Sequence, residues 1–248
     1  MRRISKPEPP GDVSPDGHEP RSLNDAEREY LTELPHTAER SAHARMRYGQ
    51  LEKRKLRQVM YQEQRFICVF CERSIGEGNR PPRIDHWRPL SAHPEHALDW
   101  NNLYLSCPSP ETCDTVKSDR ALRWDDADLH LPWPTEVRYE NLVGFTSSGD
   151  IYVRTDAALD DAVRRALELA LNDCQDGART RRAILNLNHP ALVAARIAAL
   201  DSERDFDSGS PASDAREDRA NEMLAQNPLP AFVSIRVAWL RRDLGRGR

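Results

Sequence analysis

Cys68-Val69-Phe70-Cys71, Ile84-Asp85-His86-Trp87-Arg88-Pro89, Trp100-Asn101-Asn102-Leu103-Tyr104-Leu105-Ser106-Cys107 and Cys113-Asp114-Thr115-Val116-Lys117 all fall between Phe66 and Arg120. Two cysteine pairs thus bracket an Asp-His pair, an Asn and a further Asp. A Cys-x-x-Cys pair alone is ambiguous among a redox couple, a zinc knuckle and chance. The redox reading needs a thioredoxin-like βαβ setting, which the residues around Phe70 do not supply. The second pair, Cys107 and Cys113, changes the balance, because four thiolates close a tetrahedral shell around zinc. Its five-residue spacer is wider than the common two to four, but Pro108 and Pro110 stiffen it. The four cysteines are therefore expected to bind structural Zn²⁺. Zinc-finger peptides gain on the order of 10–16 kcal/mol from such a site.

Between the cysteines, Ile84–Trp87 and Leu103–Ser106 read as short strands joined by a loop over 88–102. A short helix is expected from Cys113 to about Leu122. Phosphodiester hydrolysis needs a base for water and a cation for the charge on phosphate. A neutral imidazole suits the first task. Carboxylates suit the second, because Mg²⁺ takes hard oxygen ligands. Strand neighbours point to opposite faces, so Asp85 and His86 share one site only where the strand is distorted or ends. Each residue also has a plainer reading. Asn102 serves as a turn residue, Asp114 as a helix cap, and Lys117 as a solvated lysine. Trp87, Trp100, Trp124 and Trp133 fit a core better than a base-stacking platform. His93, His96, His130 and His189 receive no role.

Composition narrows the class. The 248 residues are 38% hydrophobic and 31% charged, and mean hydropathy is −0.75. No run approaches the roughly 18 apolar residues of a membrane span. No apolar core follows the basic opening Met1-Arg2-Arg3, so a cytoplasmic location without a signal peptide or membrane contact is expected. The net charge of −4 does not announce a nucleic-acid binder. Local charge does more, since Lys53, Arg54, Lys55 and Arg57 cluster just before the cysteines. They read either as a solvated helix face or as phosphate contacts. Cys174 stands apart from the four paired cysteines, on an expected helix, and reads as a small buried apolar residue.

Residues 1–22 are rich in Pro and Gly and should be extended. A short helix with Asn24 as cap should end at Pro35. One long amphipathic helix is expected over 37–64. Beyond the cysteine stretch, strands are expected at Val137–Glu140 and Leu142–Thr146. The second of these turns through Ser147–Asp150 into Ile151–Arg154. Helices follow at Ala158–Asn172, Arg179–Leu185, Pro190–Leu200, Ala215–Ala225 and Leu229–Leu244. A mobile linker is expected over Asp205–Ala215. The fold class is accordingly α+β and mostly helical. It divides into an arm and long helix (1–65), a zinc-stapled core (66–125), and a hairpin with C-terminal helices (126–248).

The motifs Cys-x-x-Cys, Asp-His-x-x-Pro, Asn-Leu-x-x-Ser-Cys and Cys-Asp-x-x-Lys together resemble the HNH endonuclease family, over about a quarter of the chain. His86–Pro89 and Trp100–Leu103 are similar to the HNH subunit of Septu-type and retron-associated antiphage systems. Met1–Lys6 and Leu185–Asn188 resemble it more weakly. The resemblance implies a ββα-metal core and a metal-dependent endonuclease. His86 would be the general base and Asp85 a ligand of catalytic Mg²⁺ or Mn²⁺. Asn102 would tie the loop that orients His86. Asp114, standing where the family usually has His or Asn, would be the second metal ligand. Arg88 and Lys117 would contact phosphates. The implied partners are nucleic acid, an ATPase related to the ABC and SMC families, and a retron RNA–DNA element. Two other readings remain at this stage. A non-catalytic zinc module would leave Asp85, His86 and Asn102 without a joint purpose. A thiol oxidoreductase would need Cys68 and Cys71 free of metal.

Overall fold

The computed structural model describes residues 1–35, 39–76, 80–117, 131–176, 179–181 and 183–245. The two strands expected in the central stretch form β1 (Arg83–His86) and β2 (Leu103–Ser106). They pair antiparallel, with Asp85 opposite Tyr104 and His86 opposite Leu103. The connection between them carries two short 3₁₀ turns, Pro94–His96 and Trp100–Asn102. A helix (Cys113–Lys117) follows. The expected continuation of that helix to Leu122, and Trp124 and His130, lie outside the described residues.

Three helices precede the strands. α1 (Leu23–Glu33) is capped by Ser22, whose hydroxyl accepts from Asp25 N, and not by Asn24. The start moves earlier because Leu23 is fully buried and belongs to the apolar face. α1 ends as expected, with Leu34 turned extended ahead of Pro35. The single helix expected over 37–64 is two, α2 (Arg40–Gly49) and α3 (Lys53–Glu63). Glu52 is extended at the break, and its carboxylate accepts from Arg54 N to start α3. Lys53 turns back to cap the end of α2, donating to the carbonyls of Tyr48 and Leu51. Apolar periodicity does not see this break because Leu51, within it, is itself buried. The helix after β2 is α4.

The C-terminal half departs from expectation in four places. Val137–Glu140 is not a strand, since Tyr139–Asn141 is a 3₁₀ turn and the Tyr139 hydroxyl donates to Pro132 O at 2.6 Å. The hairpin itself forms, β3 (Val143–Thr146) against β4 (Ile151–Val153). α5 (Asp161–Leu171) starts on an Asp160 cap. Of the helix expected over Arg179–Leu185, the described residues 179–181 and 183–185 are not helical, and Cys174 is not on a helix. β5 (Cys174–Asp176) and β6 (Arg179–Arg181) pair antiparallel instead. Asn172 leaves the helix in an extended conformation. Asp173 Oδ1 then accepts from Ala183 N at 2.7 Å and closes the hairpin.

The expected mobile linker over Asp205–Ala215 is largely helix, in α6 (Pro190–Ser208) and α7 (Ser213–Ala225). Asp207 orders it by accepting from Arg216 at 3.0 Å and Trp239 Nε1 at 2.8 Å and pairing with Arg242 at 2.7 Å. The last helix is shorter than expected, α8 (Val233–Leu240). The chain then adds β7 (Leu244–Gly245) in parallel beside β3.

The result is a mixed α+β structure, mostly helical. One apolar core draws on residues from Met1 to Ala238. The arm is extended and draped, as expected. Met1, Ile4 and Val13 are buried, and Trp100 Nε1 donates to Pro7 O at 3.0 Å. Trp87 and Trp100 are core residues, and Trp133 packs against them in part. Among the described residues no helix is long and apolar enough to cross a membrane.

Candidate functional site

Cys68, Cys71, Cys107 and Cys113 converge, all buried and none in a disulfide. Their sulfurs lie within 4.8 Å of one another. Neighbouring pairs are 3.9 Å (Cys68–Cys113), 3.7 Å (Cys71–Cys107) and 3.6 Å (Cys107–Cys113) apart. A tetrahedral ion about 2.3 Å from each sulfur separates them by about 3.8 Å. The donor set and the spacing therefore fit a zinc ion.

The backbone is shaped for that convergence. Cys68 N donates to Arg73 O, and Glu72 N to Cys68 O, so the chain doubles back after Cys71. Cys107 N donates to the Cys68 sulfur at 3.3 Å. Glu72 and Cys113 sit in the left-handed region, at φ 62° and 60°. Non-glycine residues there cost on the order of 1 kcal/mol or more each, so the cluster must sustain them. Hydrogen bonds from Cys113, Cys68 and Cys71 pull the Cys107 thiol well down, while burial pushes Cys68 and Cys113 up. A metal ion removes that conflict, since all four bind as thiolates.

The second constellation lies at the end of β1. His86, 9% exposed, hydrogen-bonds through Nε2 to Ala97 O at 2.9 Å. A carbonyl accepts only, so Nε2 carries the proton and Nδ1 is left as the acceptor. Burial lowers the imidazole pKa to about 4, which keeps it neutral near pH 7. Asn102 is fully buried. Its Oδ1 accepts from Arg88 N at 2.6 Å, and its Nδ2 donates to Arg88 O at 3.1 Å and His96 O at 2.9 Å. One side chain thus pins both ends of the loop that presents the Ala97 carbonyl to His86.

Asp85 and Asp114 are also buried, 5% and 3% exposed. Burial pushes Asp85 well up, the adjacent Asp114 carboxylate adds to it, and the Lys117 ammonium works against both. Lys117 does not project toward solvent as a phosphate contact would. It is buried, donating to Asp85 and, at 2.6 Å, to His86 O. Arg83 pairs with Asp114. Arg88 lies 5.2 Å over the Trp133 ring, in the field of Tyr139 and Glu136.

His86 and the two carboxylates share one neighbourhood at the end of β1. Tyr48 marks it. Its ring meets the imidazole edge-on at 4.7 Å. Its phenol pKa is raised first by burial, with Asp85 and Asp114 adding to the shift. Lys53 sits 3.7 Å over the same ring. Tyr48 and Lys53 join the site only because the chain breaks between α2 and α3, so nothing in the sequence placed them there. Arg83 was findable, since it lies two residues before Asp85 on a strand and shares its face. The basic cluster is mostly committed to the protein itself. Lys55 pairs with Asp12 at 2.6 Å and Arg57 donates to Pro82 O at 3.1 Å, while Arg54 is exposed. Comparison of the chain with protein-family models and with curated proteins gave no match.

Proposed function

We propose that the chain is a metal-dependent endonuclease of the HNH type, built on a ββα-metal core of β1, β2 and α4 and stapled by Zn²⁺ on the four cysteines. The observation that carries the reading is the His86 imidazole, fixed as a neutral base by Ala97 O beside two buried carboxylates. In this reading Nδ1 takes a proton from water. The water oxygen forms a new P–O bond as the opposite P–O bond breaks. Asn102 keeps His86 aimed by pinning its loop. Asp85 and Asp114 fit a hard divalent cation, Mg²⁺ or Mn²⁺, through their oxygen donors and proximity. Such a cation, when bound, neutralises charge on the phosphate and leaving oxygen. Lys117 and Arg83 hold the two carboxylates in register and partly neutralise them.

The test is cleavage of labelled DNA and RNA with and without Mg²⁺. Replacing His86 by Ala should slow cleavage about 10²–10⁴-fold while zinc content stays at the parent level. A folded, zinc-loaded variant that cut as fast as the parent would falsify the mechanism. The resemblance further suggests an effector subunit in an antiphage complex with an ATPase and a retron RNA–DNA element. The isolated chain should then cleave poorly and gain activity with the co-purified ATPase. Equal rates alone and in complex would remove the partner from the reading.

One observation favours a second reading, a non-catalytic zinc module. Asp85, His86 and Asp114 are all at most 9% exposed, with Tyr48 packed on the imidazole. The endonuclease reading therefore requires the α2–α3 corner to move aside for substrate. The module reading requires no such motion.

A further inference from the structure

Beside the cysteine cluster opens a cleft of about 470 Å³ that the site above does not use. Arg73–Gly76, Arg80 and Pro82 line one part of it. The floor is the Cys107–Thr112 loop, and the start of α6 closes the far side at His189 and Ala191. Three independent features of this cleft suit one chemistry. Arg73 is half-buried and Arg80 exposed, and neither guanidinium has a hydrogen bond or ion pair among the described residues. Most arginines among the described residues do have one. Thr112 is 2% exposed, and its Oγ1 has no hydrogen-bond partner among the described residues. A buried hydroxyl without a partner costs about 1–3 kcal/mol, so its position calls for an acceptor. The third feature is the positive end of α6, which spans 19 residues. Ala191 N there donates to the His189 ring nitrogen Nδ1 at 3.3 Å.

Two guanidiniums and a hydroxyl donor suit the oxygens of a phosphate group, and the positive end of α6, whose first N–H groups are taken by His189, adds its dipole. Among the described lining residues the one acid is Glu111, whose carboxylate lies 3.7 Å from His189, against the two arginines Arg73 and Arg80. The cleft borders the start of the strand that carries Asp85. Pro82 lines it, and the next residue, Arg83, pairs with Asp114. From Pro82 to Asp85 the strand covers about 10 Å, the rise of about three nucleotides.

We propose that this cleft holds a backbone phosphate of the nucleic-acid substrate, a few nucleotides from the scissile bond. The proposal rests on the endonuclease reading, and the experiment separates the two. Binding of a labelled 20-nucleotide strand and its duplex is measured by anisotropy across a salt series, without Mg²⁺. The protein is the full zinc-loaded chain carrying His86→Gln, so that nothing is cut. Adding Arg73→Gln and Arg80→Gln should weaken binding about tenfold and make the log–log salt slope shallower by about 0.7–0.9, as for one lost phosphate contact. Zinc content and melting temperature should not move. Thr112→Val removes the hydroxyl at constant shape. It should weaken binding about threefold, whereas a merely unsatisfied hydroxyl would leave binding unchanged and raise stability. If the parent binds and cuts but the double-arginine variant keeps its affinity and slope, the cleft assignment falls and the endonuclease reading stands. If the chain with intact arginines binds neither oligonucleotide, both fall. If millimolar inorganic phosphate occupies the cleft, read from arginine-dependent protection in hydrogen exchange, while the oligonucleotide slope ignores the arginines, the site takes a free anion and the backbone assignment is overturned.

Discussion

His86 carries the sharpest single-residue consequence. Its folded pKa, about 4, lies below the ordinary 6.5. Between those values the unfolded chain binds a proton that the folded chain refuses. Stability from the neutral imidazole is therefore fully present above about pH 6.5 and is lost as pH falls toward 4, by up to about 1.4 kcal/mol per pH unit. Replacing His86 by Gln should flatten that decline. Urea midpoints at pH 7, 6 and 5 measure it, and parallel declines in parent and variant would show that the imidazole is not buried neutral. At this scale much of the site was legible. Asp85, His86, Asn102, Asp114 and the four cysteines announce themselves because their chemistry is rare and their spacing tight. What the sequence concealed was environment. His86, expected as the base, is buried, and Lys117 read as a phosphate contact and sits on Asp85. Burial depends on which distant segments return to cover a residue, and no local pattern encodes that.

At the scale of elements, β1 and α4 meet through ion pairs, Lys117 to Asp85 and Arg83 to Asp114. Two buried carboxylates side by side need positive charge, and Lys117 is the buried source of it. Replacing Lys117 by Met keeps the bulk and removes the ammonium. An unpaired buried charge costs about 3–5 kcal/mol, so the variant should melt well below the parent in metal-free buffer. Mn²⁺ should then raise its melting temperature more than the parent's, because the ion supplies the missing charge. Saturation at a hundred times the dissociation constant adds about 2.7 kcal/mol. A melting temperature indifferent to Mn²⁺ in both proteins would argue against a divalent site at Asp85 and Asp114. Elements with local causes were readable in advance. β2, the β3–β4 turn and α5 all follow from apolar period and caps. Those with remote causes were not. β7 exists only because residues 244–245 reach β3, and Asp207 orders its stretch by gathering Arg216 from α7 and Arg242 from just beyond α8.

The whole molecule is tied together from its N-terminal arm inward. Lys6 enters a box made by Trp100, Tyr104 and Glu63, its ammonium 3.9 Å and 4.3 Å from the two ring centroids and 3.0 Å from the carboxylate. It also donates to Leu103 O, on the strand residue opposite His86. An extended arm was legible from its proline and glycine content. That it carries a charge into the core was not, because a lysine among prolines reads as solvated. Burial dominates both partners, lowering Lys6 to about 8 and raising Glu63 to about 7. Desolvation therefore consumes most of what the pair gains by attraction, and the pair should contribute specificity of docking more than net stability. A double-mutant cycle separates these effects. Lys6→Met alone strands a carboxylate whose side chain is 0% exposed and should lower stability by about 3–5 kcal/mol. Glu63→Leu alone should cost less, because Lys6 keeps two aromatic faces and a carbonyl. The combined Lys6→Met/Glu63→Leu chain should recover most of the loss, since an apolar pair suits a box walled by Trp100 and Tyr104. Urea midpoints at pH 7 give the coupling energy directly. Additive single effects would mean that the two groups do not sense each other and that the arm is held by its apolar residues alone. A positive coupling together with slower cleavage in the double variant would mean that the arm positions β2, and through it the loop that Asn102 ties to His86.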